Sequence, residues 1–157
     1  MPAHICAADL ATGPLIPDTP IDVYVTENPR VLEAALASHA TATLVCTQGN
    51  PTTTALDLLT GLAAVRCHLH YRSDFDWPGI AIANRVMAAT GARPWCFDRA
   101  TYRTAVDRHG IRNLVPLTGR SVTPAWDPPL GEAMTATGVA IHEELLLEEV
   151  AATLPSR

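Results

Sequence analysis

The sequence predicts an α/β fold in which a mainly parallel sheet of about four strands is flanked by helices. Three times in succession a short β-branched or apolar run passes through a brief loop into a helical period. Each of those helices opens with proline at or near its first turn, at Pro29, Pro51 and Pro78. Repeated strand–helix units join parallel strands through right-handed crossovers. Proline suits the first helical position because its missing N–H would have no intrahelical partner there.

Residues 1–20 contain Gly13, Pro14, Pro17 and Pro20 and no sustained period, and read as a lead-in segment to one domain over residues 21–157. Ile21 to Glu27 alternates and is rich in β-branched residues, the pattern of a strand. The helix opened by Asn28-Pro29 places Val31, Leu32, Ala35 and Leu36 on one face. Thr41 to Thr47 is a second strand, a near-continuous apolar run around Leu44, Val45 and Cys46, and Asn50-Pro51 opens a helix with Ala55, Leu58, Leu59 and Leu62 aligned. A third strand, Val65 to Tyr71, precedes the turn Asp74 to Gly79, and the helix opened by Pro78 carries Ile82, Val86 and Met87. A short strand over Pro94 to Phe97 and a helix over Arg99 to Arg108, ended by His109-Gly110, continue the pattern. Pro116, Pro124, Pro128 and Pro129 then mark an irregular surface stretch. A final helix is expected from about Val139 to Leu154, with Ile141, Leu145, Leu146 and Val150 on its apolar face.

Composition narrows the chemistry. The chain has 157 residues, 48% hydrophobic and 17% charged, enough to bury a core and too apolar for disorder. No apolar run approaches the roughly 20 residues of a membrane span and no basic leader precedes one, so a cytoplasmic protein without membrane contact is expected. Cys6, Cys46, Cys67 and Cys96 are widely spaced with no CxxC pair, as in reduced structural thiols. All 11 basic residues are arginine. The absence of lysine excludes P-loop phosphate binding, Schiff bases and nucleotidyl-lysine intermediates. A net charge of −5 argues against holding nucleic acid by the domain's own electrostatics.

The candidate site follows from position. In open parallel sheets ligands collect beyond the carboxyl ends of the strands. The first strand ends at Glu27, the second leads into Gln48-Gly49-Asn50, and the third leads into Asp74 and Asp76. Alternate residues of an extended segment point the same way, so Asp74 and Asp76 can reach one ion. The helix amides behind Pro78 would hold phosphate oxygens against that ion. Two ion-binding carboxylates with a third on a neighbouring strand suit phosphodiester chemistry on magnesium or manganese. Glu27 would be a ligand or acid/base, and Asp74 and Asp76 ligands. The plain alternative is that the Asp-x-Asp pair caps a helix beside a solvated partner.

Weaker candidates surround this set. Glu143 or Glu144 would add a ligand, although acidic residues also favour a helix N-terminus. Arg72 and His70 would contact phosphate, with a salt bridge as the alternative for Arg72; Gly49 and Asn50 lie in the adjoining loop. His68 and His70 share a strand face, but no third nitrogen or sulfur ligand supports zinc. Trp77 packs over the helix start or stacks a base.

Glu27-Asn28-Pro29, the run Val45 to Pro51, the run Asp74 to Gly79, Pro94-Trp95 and the late His142-Glu143-Glu144 together resemble one known family. It is the C-terminal domain of the nuclease subunit of Wadjet-like bacterial plasmid-defence systems. That domain is a divergent Toprim (topoisomerase–primase) module, similar in its acidic set to topoisomerase VI-like proteins and overcoming-lysogenisation-defect nucleases. The resemblance runs from about Ile21 to Val150. It implies a Toprim-like Rossmannoid fold and a magnesium- or manganese-dependent DNA endonuclease, with Glu27, Asp74 and Asp76 as the catalytic set. It also implies cleavage of plasmid or other foreign DNA with an SMC-like ATPase complex, and a homodimer as one possible state. Such subunits carry further N-terminal DNA-binding domains, so the chain reads as a C-terminal domain whose own grip on DNA is weak. His70-Tyr71-Arg72-Ser73 ahead of Asp74 departs from the shorter His-Gly-like approach of the family and leaves the role of His70 open.

Two other enzyme classes fit less well. A haloacid-dehalogenase-like phosphatase places its Asp-x-Asp after the first strand and needs a lysine, and a receiver domain also needs a lysine. The non-enzymatic reading is a catalytically inactive Toprim-like scaffold for dimerisation or partner docking.

Overall fold

The computed structural model describes residues 5–12 and 16–156. The elements run α1 (Ala7–Thr12), β1 (Asp22–Thr26), α2 (Pro29–Ala37), β2 (Thr43–Cys46), α3 (Thr53–Ala64), β3 (His68–Tyr71) and α4 (Trp77–Thr90). They continue with β4 (Arg93–Pro94), α5 (Arg99–His109), β5 (Val115–Pro116), α6 (Pro128–Thr137), β6 (Val139–Ala140) and α7 (Leu147–Ala152). Strands β1 to β4 form one parallel sheet in the order β2-β1-β3-β4. The α/β class, the parallel sheet of four strands and the flanking helices agree with a Toprim-like arrangement.

The strand order determines which side each helix covers. From β1 the chain steps outward to β2, then back across β1 to β3 and on to β4. Right-handed crossovers therefore put α2 on one face and α3 and α4 on the other. The packing agrees: α2 lies against α7, and α3 against α4. Val23, Val25, Leu69 and Tyr71 of the central strands are buried, and Leu59, Ile80, Ala83 and Val86 close over them from α3 and α4.

Sequence and structure part company in the last third. The fourth strand shrinks to Arg93–Pro94, and Trp95 just after it is held to the end of β3 by donating its N–H to the Tyr71 carbonyl at 2.9 Å. The proline-spaced stretch contains a helix, α6, which Pro128 and Pro129 open and which buries Leu130 and Met134 completely. The continuous helix expected over 139–154 is absent. Val139–Ala140 pairs with Val115–Pro116 as an antiparallel ribbon, Ile141 bridges Phe75, a 3-10 turn spans Glu143–Leu146, and only Leu147–Ala152 is α-helical. The cause is backbone competition, because Ile141 and Phe75 exchange two hydrogen bonds, at 2.9 and 3.2 Å, that hold the chain extended there. Helical spacing of Leu146 and Val150 survives because both fall after that point. The lead-in segment contains α1 among its described residues.

Candidate functional site

The carboxyl ends of β1 and β3 face each other where the strand order reverses, the place where open α/β sheets gather ligands. Glu27 leaves β1 there. Tyr71, the last residue of β3, donates its hydroxyl proton to Glu27 Oε1 at 2.5 Å. Burial raises the proton affinity of Glu27 above the ordinary glutamate range, the Tyr71 hydrogen bond opposes the rise, and the negative charges of Glu143 and Asp74 reinforce it.

Asp76 is the N-cap of α4: its Oδ1 accepts the Gly79 N–H at 2.7 Å. Burial, with Asp74 contributing, pushes its carboxyl upward against the pull of that hydrogen bond. The capping alternative to ion binding is thus real for Asp76, but a cap occupies one of its two oxygens. Asp74 is anchored from the other end of the chain, its Oδ1 accepting the Glu143 N–H at 2.6 Å while Oδ2 lies 3.3 Å from His142 Nδ1. Asp74, Asp76 and His142 each present one ligand atom within 4.8 Å of the other two. Glu27 stands outside that trio but close enough to couple electrostatically to Asp74.

Glu143 and Arg72 form the foundation beneath these residues. Arg72 Nε donates to Glu143 Oε1 at 2.8 Å, and the Thr26 hydroxyl donates to the same oxygen at 2.8 Å. The two charged side chains are 0% and 1% exposed, and the guanidinium lies over the Trp95 ring at 5.7 Å. Arg72 thus makes the salt bridge that was the alternative to a phosphate contact, through Nε, while its two terminal nitrogens are buried without a partner among the described residues. Burial raises the Glu143 carboxyl while Arg72 and Thr26 lower it. Removing either partner of such a pair leaves an uncompensated buried charge.

The other sequence candidates separate from the cluster. His70 Nε2 pairs with Asp22 Oδ1 at 2.7 Å and its ring stacks on Tyr24 at 4.7 Å, on the sheet face that looks away from Glu27. Its assignment to phosphate is corrected to an ion pair near the start of β1. His68 shares Asp22 at 3.6 Å. Gly49 adopts φ +95° and donates its N–H to the Glu27 carbonyl at 3.0 Å, so the loop after β2 touches the site through backbone. Asn50 accepts from the Arg85 guanidinium. Glu144 accepts from Asn28 Nδ2 at 2.6 Å and holds the late segment to the start of α2 without joining the trio. Trp77 is buried over the start of α4. All four cysteines carry free thiols.

Sequence reasoning had no site role for His142. Its signal lay in the neighbouring Glu143, since two adjacent residues of one late segment meet Asp74, but the expected helix concealed the extended backbone that makes this possible.

A parallel α/β sheet with an acidic cluster at its switch point defines the class. The family profile described as "Protein of unknown function C-terminus (DUF2399)" matches residues 9–154, and the chain belongs to that family. A search of curated proteins finds no match. Among the described residues, no helix is long and apolar enough to cross a membrane.

Proposed function

We propose that the domain is the catalytic module of a magnesium- or manganese-dependent DNA endonuclease of the Toprim type, cleaving plasmid or other foreign DNA together with an SMC-like ATPase complex in the cytoplasm. One observation carries the reading: Asp74 and Asp76 face a common point at the carboxyl edge of the sheet, with Glu27 electrostatically coupled to Asp74. Carboxylate oxygens are the donors that hard divalent ions take, and the 4.8 Å spread of the trio suits a single ion. Asp74 and Asp76 would hold it. When bound, such an ion neutralises a phosphodiester and stabilises the departing oxygen.

The chain's own residues supply the rest. Glu27, with its raised proton affinity and its hydrogen bond to Tyr71, is suited to accept a proton from an attacking water and pass it on. The Glu143 N–H orients the Asp74 carboxylate, and the cap to Gly79 orients that of Asp76, so both are preset. The inactive-scaffold alternative accounts less well for Asp74 kept beside two further acids that it repels, Glu27 and Asp76, each with its orienting partner.

The test is cleavage of supercoiled plasmid by the reconstituted system with manganese or magnesium. Glu27→Ala is expected to lower the rate at least a hundredfold, the low end for removing a proton-transfer group, and Asp76→Ala to abolish cutting by removing an ion ligand, both leaving the circular dichroism unchanged. Undiminished cutting by a folded Glu27→Ala protein would locate the chemistry elsewhere and leave this domain a scaffold.

A further inference from the structure

The late segment does more than brace Asp74, since it delivers an imidazole to the edge of the carboxylate pair. His142 is extended, at φ −79° and ψ 150°, between two fixed points. On one side, Ile141 is hydrogen-bonded to Phe75 in both directions. On the other, Glu143 is tied through its N–H to Asp74 and through its side chain to the buried Arg72 and Thr26. With both neighbours immobilised, the ring is held with Nδ1 at 3.3 Å from Asp74 Oδ2 and one ring nitrogen within 4.8 Å of an Asp76 oxygen. The side chain is 42% exposed, so the edge it borders is open to solvent.

A second feature points to a ligand at this place. The Ser73 hydroxyl is fully buried and makes no hydrogen bond of ordinary length and angle among the described residues, although as a donor it lowers the proton affinity of the nearby Glu27 carboxylate. It borders Gly79, where a Cβ would stand 2.7 Å from Ser73 Oγ and 3.0 Å from Asp76 Oδ1, and it influences the Glu27 carboxylate. A buried hydroxyl with no well-formed hydrogen bond, lying between the Glu27 and Asp76 carboxylates, is suited to a water or oxygen ligand of an ion.

We propose that His142, through a ring nitrogen, is a third ligand of the ion held by Asp74 and Asp76, and that it makes this site select manganese over magnesium. The inference rests on the carboxylate site proposed above and adds its ion preference. Magnesium keeps an oxygen shell and sheds water reluctantly, whereas manganese accepts both carboxylate and imidazole. A fixed imidazole therefore strengthens manganese binding and does little for magnesium.

The experiment measures ion binding without any DNA. Manganese is titrated into the full chain and followed by the loss of the free-ion electron paramagnetic resonance signal, then displaced with magnesium. His142→Ala is expected to weaken manganese binding at least about tenfold, the lower range for losing even an orienting partner of a ligand. Magnesium affinity is expected to change less than about threefold, so the selectivity collapses, while Asp74→Ala removes both ions. His142→Gln, closer in size, should show the same loss of selectivity and guards against misfolding of the alanine variant. Equal weakening of both ions, or none, would reduce His142 to a brace and overturn the proposal while leaving the carboxylate site intact. Binding that persists in Asp74→Ala would instead overturn the carboxylate site, and the proposal with it.

Discussion

Each carboxylate at the switch point is restrained by a different device, and the devices predict a pH response. Glu27, Asp76 and Glu143 all have proton affinities raised mainly by burial. A carboxyl whose folded value lies above its unfolded value binds its proton more tightly when folded. It contributes stability below the unfolded value and loses that contribution as pH rises through the folded one. With metal chelated, the protein should therefore lose stability as pH climbs from the ordinary carboxyl range, 4.5 for glutamate, toward neutrality. Glu144 and Asp22 are shifted downward and act in the opposite sense, but at lower pH. Glu27→Gln has no charge to confine, so its melting temperature should vary less between pH 4.5 and 7.5, by roughly 3 °C for each tenfold change in proton affinity removed. Parallel profiles for the two proteins in chelator would show that Glu27 is not confined in this way.

At the scale of elements, the start of α4 is the tightest part of the site. Gly79 follows Pro78 in the first turn, and a Cβ there would stand 2.3 Å from the Asp74 carbonyl oxygen. That contact is with backbone, so it cannot be relieved by a rotamer change. The chain between Asp74 and Gly79 folds back on itself so closely that only hydrogen fits, which is how one strand end and one helix start bring two carboxylates to a common point. Gly79→Ala should destabilise the protein by about 1–3 kcal/mol or more, measured by urea unfolding, and weaken manganese binding together with it. A neutral substitution would mean that the turn is looser than its geometry indicates. Asn28 plays the matching part for α2, its Oδ1 accepting the Arg30 N–H at 3.0 Å while its amide reaches Glu144.

For the whole molecule, charge sets the limit. With a net charge of −5, no lysine, and Arg72 withdrawn into the core, the domain has little with which to grip phosphate. Its affinity for duplex DNA should be no better than the non-specific range of about 10⁻⁴–10⁻⁶ M at physiological salt. Fluorescence anisotropy with a labelled duplex checks this directly. Submicromolar, salt-insensitive binding by the chain alone would refute the view that it depends on partners for its hold on DNA.

The first three strand–helix units were legible in the sequence because each is written in local terms: alternating or apolar runs of 4 to 8 residues, then proline at a helix start. Those units suffice to place Glu27, Asp74 and Asp76 at one edge, since parallel connection sends every strand end the same way. What the sequence could not show was the use made of residues far away along the chain. Ile141 has a helical period but pairs with Phe75, and that single long-range bridge converts an expected helix into an extended arm. Arg72 and Glu143 are 71 positions apart, and local patterns leave a surface contact as plausible as a salt bridge. The buried pair, the seating of His142 and the anchoring of Asp74 all arise when the β5–β6 ribbon brings the end of the chain back to the sheet. Backbone hydrogen bonds and desolvated charges find partners wherever the fold supplies them, so these contacts were decided by tertiary structure alone.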